Sequence, residues 1–208
     1  MTDLPALESV ADEELLRRIA AGDIDALGVL FRRRQQNIYR FALHLTGSPS
    51  LADDVTQDVF VMVIRDAAKF QPGRAQVPAW LCGMARNFVR RRLASDRASL
   101  SIEVDEALEA ALPAVSPDPL GNLTTAEAVE SLRRAVLSLP LCYREAVVLC
   151  DLQELSYADV AAALECPIGT VRSRLNRGRA LLTARMQVEQ QQNEYPLAGR
   201  TGVTRCLA

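Results

Sequence analysis

The chain has 208 residues, 49% of them hydrophobic, which is enough for one domain or two small ones with buried cores. Its formal net charge of −2 says little as a total, because the 24 basic and 26 acidic residues are segregated along the chain. Only Lys69 among the basic residues is a lysine, a bias that a genome rich in G and C produces, so the number of arginines alone does not indicate a function.

The sequence does not favour a metal-binding protein or a membrane-spanning protein. The five cysteines include no CxxC pair and His44 is the single histidine, so a metal site of known ligand spacing is not expected. Cys142 and Cys150 fall on or near one apolar helical pattern, where buried, reduced thiols are usual. No signal peptide is recognisable and no apolar run reaches about 18 residues. We therefore expect a soluble cytoplasmic protein with no membrane insertion, no metal and no cofactor.

Three helices are predicted in the first third of the chain, after a loose N-terminus. Asp12 stands where it would cap the first helix. Asp23 opens the second helix, which continues to Gly47. Ser48 caps the third, with a proline in the first helical position, and the helical pattern continues to about Ala68.

The third helix has polar first turns and a largely apolar end. The polar side chains are Asp53, Asp54, Gln57 and Asp58. Acidic groups near a helix N-terminus are favoured by the helix dipole, which explains them without any partner. The same groups beside an apolar helix would also dock a basic partner. The composition does not favour either of these two interpretations over the other.

A loop at residues 70–77, marked by proline and glycine, precedes a helix that begins near Pro78 and holds the single tryptophan, Trp80. At about 100° per residue this helix has an apolar face and a second, basic face. The second face carries Arg86, Arg90, Gly83 and Asn87. A solvated basic face is the simplest interpretation. Two separate basic helices with acidic material between them favour nucleic-acid binding instead.

Residues 98–125 read as a linker between two domains. They carry five acidic residues and no basic one, and their prolines and glycine interrupt any helix. The acidity would keep this segment off DNA, and would also let it lie in a cationic channel.

The second half reads as a compact four-helix domain that begins near Ala126. Its last two helices lie in Leu155–Leu182, LSYADVAAALECPIGTVRSRLNRGRALL. Ser156 caps a short amphipathic helix, the sequence ECP at 165–167 breaks it, and a second amphipathic helix follows. This is the pattern of a helix-turn-helix.

The last helix has two chemically different faces. Its core face holds Val171, Leu175, Gly178 and Leu182. Its opposite face holds Gly169, Ser173, Asn176 and Arg177. Residues 167–185 contain five arginines and no acid, which suits a helix that reads a major groove through guanine edges and phosphates. A solvated basic face on an ordinary helical hairpin is the alternative that this pattern leaves open.

Both halves resemble one family, the bacterial sigma-70-type factors of the extracytoplasmic-function (ECF, group 4) class. The helix-turn-helix resembles their promoter-reading motif, and CPIGTVRSRL is especially close to its pattern. IYRFALHLTGSPSLADDVTQDVF resembles their second conserved region, and PAWLCGMARNFVRRRL the promoter-melting helix after it. The resemblance covers roughly residues 12–186, in the family's order and spacing.

The resemblance implies an all-α chain of two small helical domains on a flexible acidic linker, the second a winged-helix-like helix-turn-helix of four helices. The implied boundaries are 12–97 for sigma region 2, 98–125 for the linker and 126–186 for region 4. The tail at 187–208 lies outside the family's pattern, and its polar, then proline- and glycine-bearing composition predicts that it is disordered.

It also implies three groups of site residues. Those that bind core RNA polymerase, through the clamp helices of its largest subunit, are Asp53, Asp54, Gln57 and Asp58. Those that hold the unpaired −10 element are Gln71, Arg74, Trp80, Arg86, Asn87 and Arg90. Those that read the −35 element are Pro167, Gly169, Thr170, Arg172, Ser173, Arg174, Asn176 and Arg177. Arg174 and Arg179 would grip phosphates, which adds affinity but little sequence choice.

The implied function is that of a non-enzymatic subunit that directs core polymerase to particular promoters. Further implied partners are promoter DNA, the flap of the polymerase's second largest subunit and an anti-sigma factor. Two other classes remain as alternatives. A stand-alone helix-turn-helix regulator would bind duplex DNA without polymerase and would have no use for the acidic surface. An enzyme acting on nucleic acid is disfavoured by the single histidine and the lack of a metal-ligand spacing.

Overall fold

The computed structural model describes residues 7–99 and 125–194, and the side chains of 7–95 and 128–187. Eight α-helices and no strand lie within these ranges, which confirms the all-helical prediction. The helices are α1 (Asp12–Ala20), α2 (Ile24–Thr46), α3 (Pro49–Asp66), α4 (Val77–Ser99), α5 (Thr125–Leu137), α6 (Leu141–Val147), α7 (Tyr157–Leu164) and α8 (Ile168–Glu194). A 3₁₀ turn, Ala67–Lys69, follows α3, and a π-helical turn, Val148–Leu152, follows α6.

The predicted linker and most of the predicted tail lie outside the described residues. Only the ends of the linker are described, where α4 reaches Ser99 and α5 begins at Thr125. The last helix continues to Glu194, past the predicted domain end at residue 186.

In the first half, Asp23, Ser48 and Gly47 start and end helices as the sequence predicts. The side chain of Asp23 accepts a hydrogen bond from the Ala26 N–H at 3.1 Å, and that of Ser48 accepts one from the Leu51 N–H at 3.3 Å. Gly47 ends α2 in the left-handed conformation at φ 71°, which glycine adopts without a steric penalty.

The expected cap at Asp12 is wrong, and the expected loose N-terminus is wrong for residues 7–11, while residues 1–6 lie outside the described residues. Asp12 is buried and binds the guanidinium groups of Arg33 and Arg34 on α2 instead of the first amides of α1. Leu7 is 1% exposed and packs in the core. The backbone oxygen of Glu8 accepts a hydrogen bond from Arg33 at 3.0 Å.

The first half is organised around α2, which packs against α1, α3 and α4. Its buried face includes Phe41, at 0% exposed, and Ile38, at 1%. In the second half α6 and α7 both pack against α8. One apolar core is continuous across both halves, because α7 and α8 contribute Val160 and Val171 to the cluster that contains Phe41. Burial of apolar surface therefore holds the two halves together in this conformation.

Candidate nucleic-acid and polymerase interfaces

The helix-turn-helix forms through local signals on both sides of its turn. Ser156 Oγ accepts a hydrogen bond from the Asp159 N–H at 3.1 Å, which starts α7. Glu165 ends α7 in the left-handed conformation at φ 54°, where a side chain costs about 1–2 kcal/mol. Val171 and Leu175, at 0% and 1% exposed, then fix the buried face of α8.

Gly178 is buried where α8 crosses α6, as the predicted core face requires. A Cβ at this position would lie 2.7 Å from Val147 Cγ2 and 3.3 Å from the Tyr143 oxygen. Only a residue without a side chain allows this approach, which accounts for a glycine inside the helix despite its cost of about 1 kcal/mol relative to alanine.

The face of α8 opposite this contact is open, as predicted. The exposed members of the predicted −35 set are Pro167, Gly169, Arg172, Ser173, Asn176 and Arg177. Thr170 and Arg174 are half-buried. Arg172 lies over the Tyr157 ring, with its Cζ 5.8 Å from the ring centroid. A guanidinium held in this way remains free to bond a base edge or a phosphate.

Arg179 has an internal partner that sequence reasoning missed. Its Nε and Nη2 donate to the two carboxylate oxygens of Asp151 at 3.0 and 2.5 Å. The hydrogen bonds and charge of Asp151 raise the pKa of Arg179. Because the arginine is already paired, a phosphate would have to share or displace Asp151.

The predicted −10 residues divide into exposed and packed ones. Gln71 and Arg74 lie exposed in the loop before α4, and Asn87 lies exposed on α4. Trp80 is half-buried, and its ring makes an edge contact with Phe70 at 5.5 Å between centroids. In this conformation Trp80 therefore fixes the loop to the helix.

Arg86 and Arg90 do not form the open basic face that α4 predicts. Arg86 is 8% exposed, and its Nε donates to Glu145 Oε1 on α6 at 3.1 Å. Arg90 donates to the same carboxylate through Nε at 2.7 Å and Nη2 at 3.0 Å. The hydrogen bond from Arg90 to Glu145 raises the pKa of the arginine. Arg86 is covered because the second half packs on it, whereas Arg90 keeps 42% of its side chain exposed and Asn87 stays exposed. The contact that covers Arg86 joins distant segments, and helical periodicity does not report it.

The acidic surface on α3 is exposed and continues into apolar side chains. Asp53, Asp54 and Gln57 are exposed, and Asp58 is half-buried with Arg92 3.5 Å away. The exposed apolar members are Val61, at 58%, and Ile64, at 52%. At about 100° per residue Asp54, Asp58 and Val61 fall within about 60° of one another. The helix therefore presents one mixed acidic and apolar surface.

Neither a metal cluster nor a membrane-spanning helix is found in the described part of the chain. No group of three or more His, Cys, Asp or Glu side chains there is placed to hold a metal ion. No helix within the described ranges is long and apolar enough to cross a membrane.

Comparison with known proteins finds the same family in both halves. The family model for Sigma-70 region 2 matches residues 30–99, and that for Sigma-70 region 4 matches residues 129–182, together more than half of the chain. The ECF RNA polymerase sigma factor SigE of Mycolicibacterium smegmatis is 36% identical over 157 residues, which cover 74% of this chain and 58% of that relative's length. The ECF RNA polymerase sigma-E factor of Escherichia coli K12 is 32% identical over 188 residues, covering 86% of this chain and 96% of that one.

Solved structures share the fold. CnrH, solved in complex with the cytosolic domain of CnrY, is 25% identical with a TM-score of 0.62, covering 86% of this chain and 99% of that one. RpoE of Bartonella quintana, solved with the anti-sigma factor NepR, has a TM-score of 0.59 at 24% identity, covering 76% of this chain and 95% of that one. The chain belongs to the sigma-70 family, in the ECF group of RNA polymerase sigma factors that act in transcription initiation.

Proposed function

We propose that this chain directs RNA polymerase core to a specific set of promoters through three separate surfaces. The observation that carries the proposal is the open face of α8, on which Arg172, Asn176 and Arg177 stand exposed on a helix anchored by Val171 and Leu175. This face reads the −35 element in the major groove. Each arginine that makes a two-pronged contact with guanine contributes about 1–3 kcal/mol of discrimination.

The α3 surface docks on core polymerase. Its carboxylates at Asp54 and Asp58 suit a basic partner, and the adjacent Val61 and Ile64 supply apolar area that docking would bury. The clamp helices of the largest subunit are the proposed partner, and the flap of the second largest subunit is proposed to hold the helix-turn-helix half. This assignment gives the acidic residues a role beyond favourable placement at a helix N-terminus.

The loop before α4 and the outer side of α4 hold the melted −10 strand. Gln71, Arg74 and Asn87 are exposed and available for this contact. Arg86 and Arg90 join them only when Glu145 releases them. Unstacked bases bound in this way offset part of the cost of opening the duplex.

The proposed role is binding without catalysis, in the cytoplasm where bacterial polymerase works. Because RpoE of Bartonella quintana was solved with the anti-sigma factor NepR, we also propose an anti-sigma factor as a partner of this chain.

The proposal is tested by selection from a pool of genomic DNA fragments with core polymerase alone, this chain alone, and both together. We expect discrete fragments to be enriched only with both, and to share two sequence elements. Enrichment of the same fragments by the chain alone would instead support a stand-alone helix-turn-helix regulator. No enrichment in any reaction, with the chain failing to co-elute with core, would contradict a sigma role.

A further inference from the structure

Two arginines of α8, Arg172 and Arg179, are held by side chains from outside that helix. At about 100° per residue they fall within about 20° of each other. Asp151, in the π-helical turn, accepts two hydrogen bonds from Arg179. Tyr157, the first residue of α7, lies against Arg172, with 5.8 Å between the guanidinium carbon and the ring centroid. Arg177, on the open face of α8 called the reading face below, makes no ion pair or ring contact with the described residues.

The two partners leave different chemistry at the arginine they hold. A carboxylate accepts N–H hydrogen bonds, so Asp151 occupies donors that Arg179 would need for DNA. An aromatic ring attracts the cation through the negative charge of its face and leaves the N–H donors of the guanidinium available. Arg172 is therefore restrained in position and still able to bond a base edge.

The fold fixes the places from which these two side chains meet. Ser156 Oγ accepts a hydrogen bond from the first turn of α7 at 3.1 Å, directly before Tyr157. Val160, one turn further along α7, is 0% exposed, and so is Val171, which directly precedes Arg172 on α8. Capping and burial thus hold both backbones, and the contact between ring and guanidinium follows from the packing of α7 on α8.

Core packing accounts for the ring of Tyr157 only in part. The side chain remains 40% exposed, whereas the buried face of α7 is completed by Val160 and Leu164 at 0% and 3%. An apolar residue of aliphatic type would seal the edge of that face equally well. What the aromatic ring adds is its attraction for the cation.

We propose that Tyr157 is a positioning residue for promoter reading, whose ring holds the Arg172 guanidinium in place before DNA binds. The inference rests on the proposed reading of the −35 element by α8. A restrained arginine loses less rotamer freedom on binding, so the ring raises both the affinity and the base discrimination that Arg172 supplies. Removing the ring weakens binding to the element about two- to fivefold, the range of an exposed contact of this kind.

The first test measures the restraint in the free chain, without DNA or polymerase. Nitrogen-15 relaxation gives the order parameter of the Nε–H group of each arginine, and Arg177 in the same helix is the internal reference. We expect Arg172 to be more ordered than Arg177 in the parent and in Tyr157→Phe, and to fall to the level of Arg177 in Tyr157→Leu. Equal order of the two arginines in the parent would overturn the proposal.

The second test is a double-mutant cycle between Tyr157→Leu and Arg172→Ala. It uses holoenzyme and a duplex promoter fragment obtained by the genomic selection, with fluorescence anisotropy as the readout and circular dichroism to check the fold. We expect Tyr157→Leu to weaken binding about two- to fivefold in the parent and to have no further effect in Arg172→Ala. Tyr157→Phe, the matched control that keeps the ring, should bind as the parent does.

Three results of the cycle would overturn the positioning role. A loss for Tyr157→Leu that persists in Arg172→Ala would show that the ring acts through the fold or touches DNA itself. An equal loss on random duplex would identify a contribution to phosphate binding. A Tyr157→Phe protein as weak as Tyr157→Leu would assign the effect to the hydroxyl group.

The third test changes each base pair of the −35 element in turn. We expect Tyr157→Leu and Arg172→Ala to lose discrimination at the same base pair, which a general loosening of α7 would not produce. Losses at different base pairs would contradict the proposal. If Arg172 is ordered by the ring but parent holoenzyme does not prefer the element to random duplex, reading by α8 and the role of Tyr157 in it both fail, while the contact between the two side chains stands.

Discussion

Asp159, in the first turn of α7, accepts a hydrogen bond from the backbone N–H of Gln76 at 2.8 Å, although 83 residues separate them in the chain. Its second carboxylate oxygen accepts from the Ser156 hydroxyl at 2.6 Å. One buried side chain thus binds the hydroxyl of the capping residue Ser156 and also holds the loop before α4 against α7.

Replacing Asp159 with Asn should lower the free energy of unfolding by about 1–3 kcal/mol, because a buried group loses a charged acceptor and one donor is left poorly paired. Urea denaturation measures this value. The control is Asp53→Asn, an exposed site on α3 where the change should be within about 0.5 kcal/mol. Equal stability of both variants would show that the Asp159 contacts add little.

Gly178→Ala should destabilise the chain by about 1–3 kcal/mol, since the added methyl group would lie 2.7 Å from the buried Val147 side chain. Gly169→Ala, in the same helix and with nothing within 4 Å of the added carbon, should be neutral or stabilising by up to about 1 kcal/mol. Thermal denaturation of the two variants gives the comparison. A Gly178→Ala protein as stable as the parent would mean that α6 and α8 separate at little cost.

Protonation of His44 should weaken the fold at mildly acidic pH. Burial, with smaller contributions from the charges of Arg133 and Arg40, lowers the pKa of this histidine below its ordinary value of 6.5. The unfolded chain then binds the proton more readily, so stability is full above about pH 6.5 and falls as the pH drops towards the folded-state pKa. Unfolding free energies at about pH 7.5 and 5.5 should differ more for the parent than for His44→Gln. If the unfolding free energies of the parent and of His44→Gln change equally with pH, His44 is not the source of the pH dependence.

Arg177→Ala should weaken binding of holoenzyme to the −35 element by about 1–3 kcal/mol and weaken binding to random duplex far less, because an exposed arginine on the reading face recognises a base edge. Arg179→Ala is the matched comparison, since Asp151 already pairs that arginine and its residual contact would be to phosphate. It should affect both DNAs alike. Fluorescence anisotropy at two salt concentrations separates these outcomes, and an equal loss on both DNAs for Arg177→Ala would identify a phosphate contact instead.

Charge reversal at Asp54 and Asp58 should weaken binding to core polymerase by at least about tenfold, because like charges would then face the basic partner. Glu13→Arg, an exposed acidic site on α1, controls for net charge. Surface plasmon resonance with immobilised core measures the affinity, and circular dichroism checks the fold. If the variant binds core polymerase as tightly as the parent does, α3 is not part of the docking site.

The sequence predicted what depends on neighbours along the chain. The caps at Asp23, Ser48 and Ser156 and the two faces of α8 follow from local hydrogen bonds and helical spacing, and all are confirmed. Asp12 failed as a cap because arginines on another helix compete for its carboxylate.

The sequence could not predict the contacts between the two halves of the chain. Glu145 is 59 residues from Arg86 and 55 from Arg90, and no periodicity links such positions. A carboxylate directly before the apolar run AVVLC, residues 146–150, was the available signal, since an ionised group is rarely buried without a partner. It indicates that a cation is needed but does not identify which one.

Run-off transcription tests the central claim most directly. Purified core polymerase would be given pooled genomic promoter fragments with and without this chain. We expect discrete transcripts only in its presence, with start sites that align to two common upstream elements. Absence of new transcripts from a chain that neither co-elutes with core nor changes its products would contradict the assignment as a sigma factor.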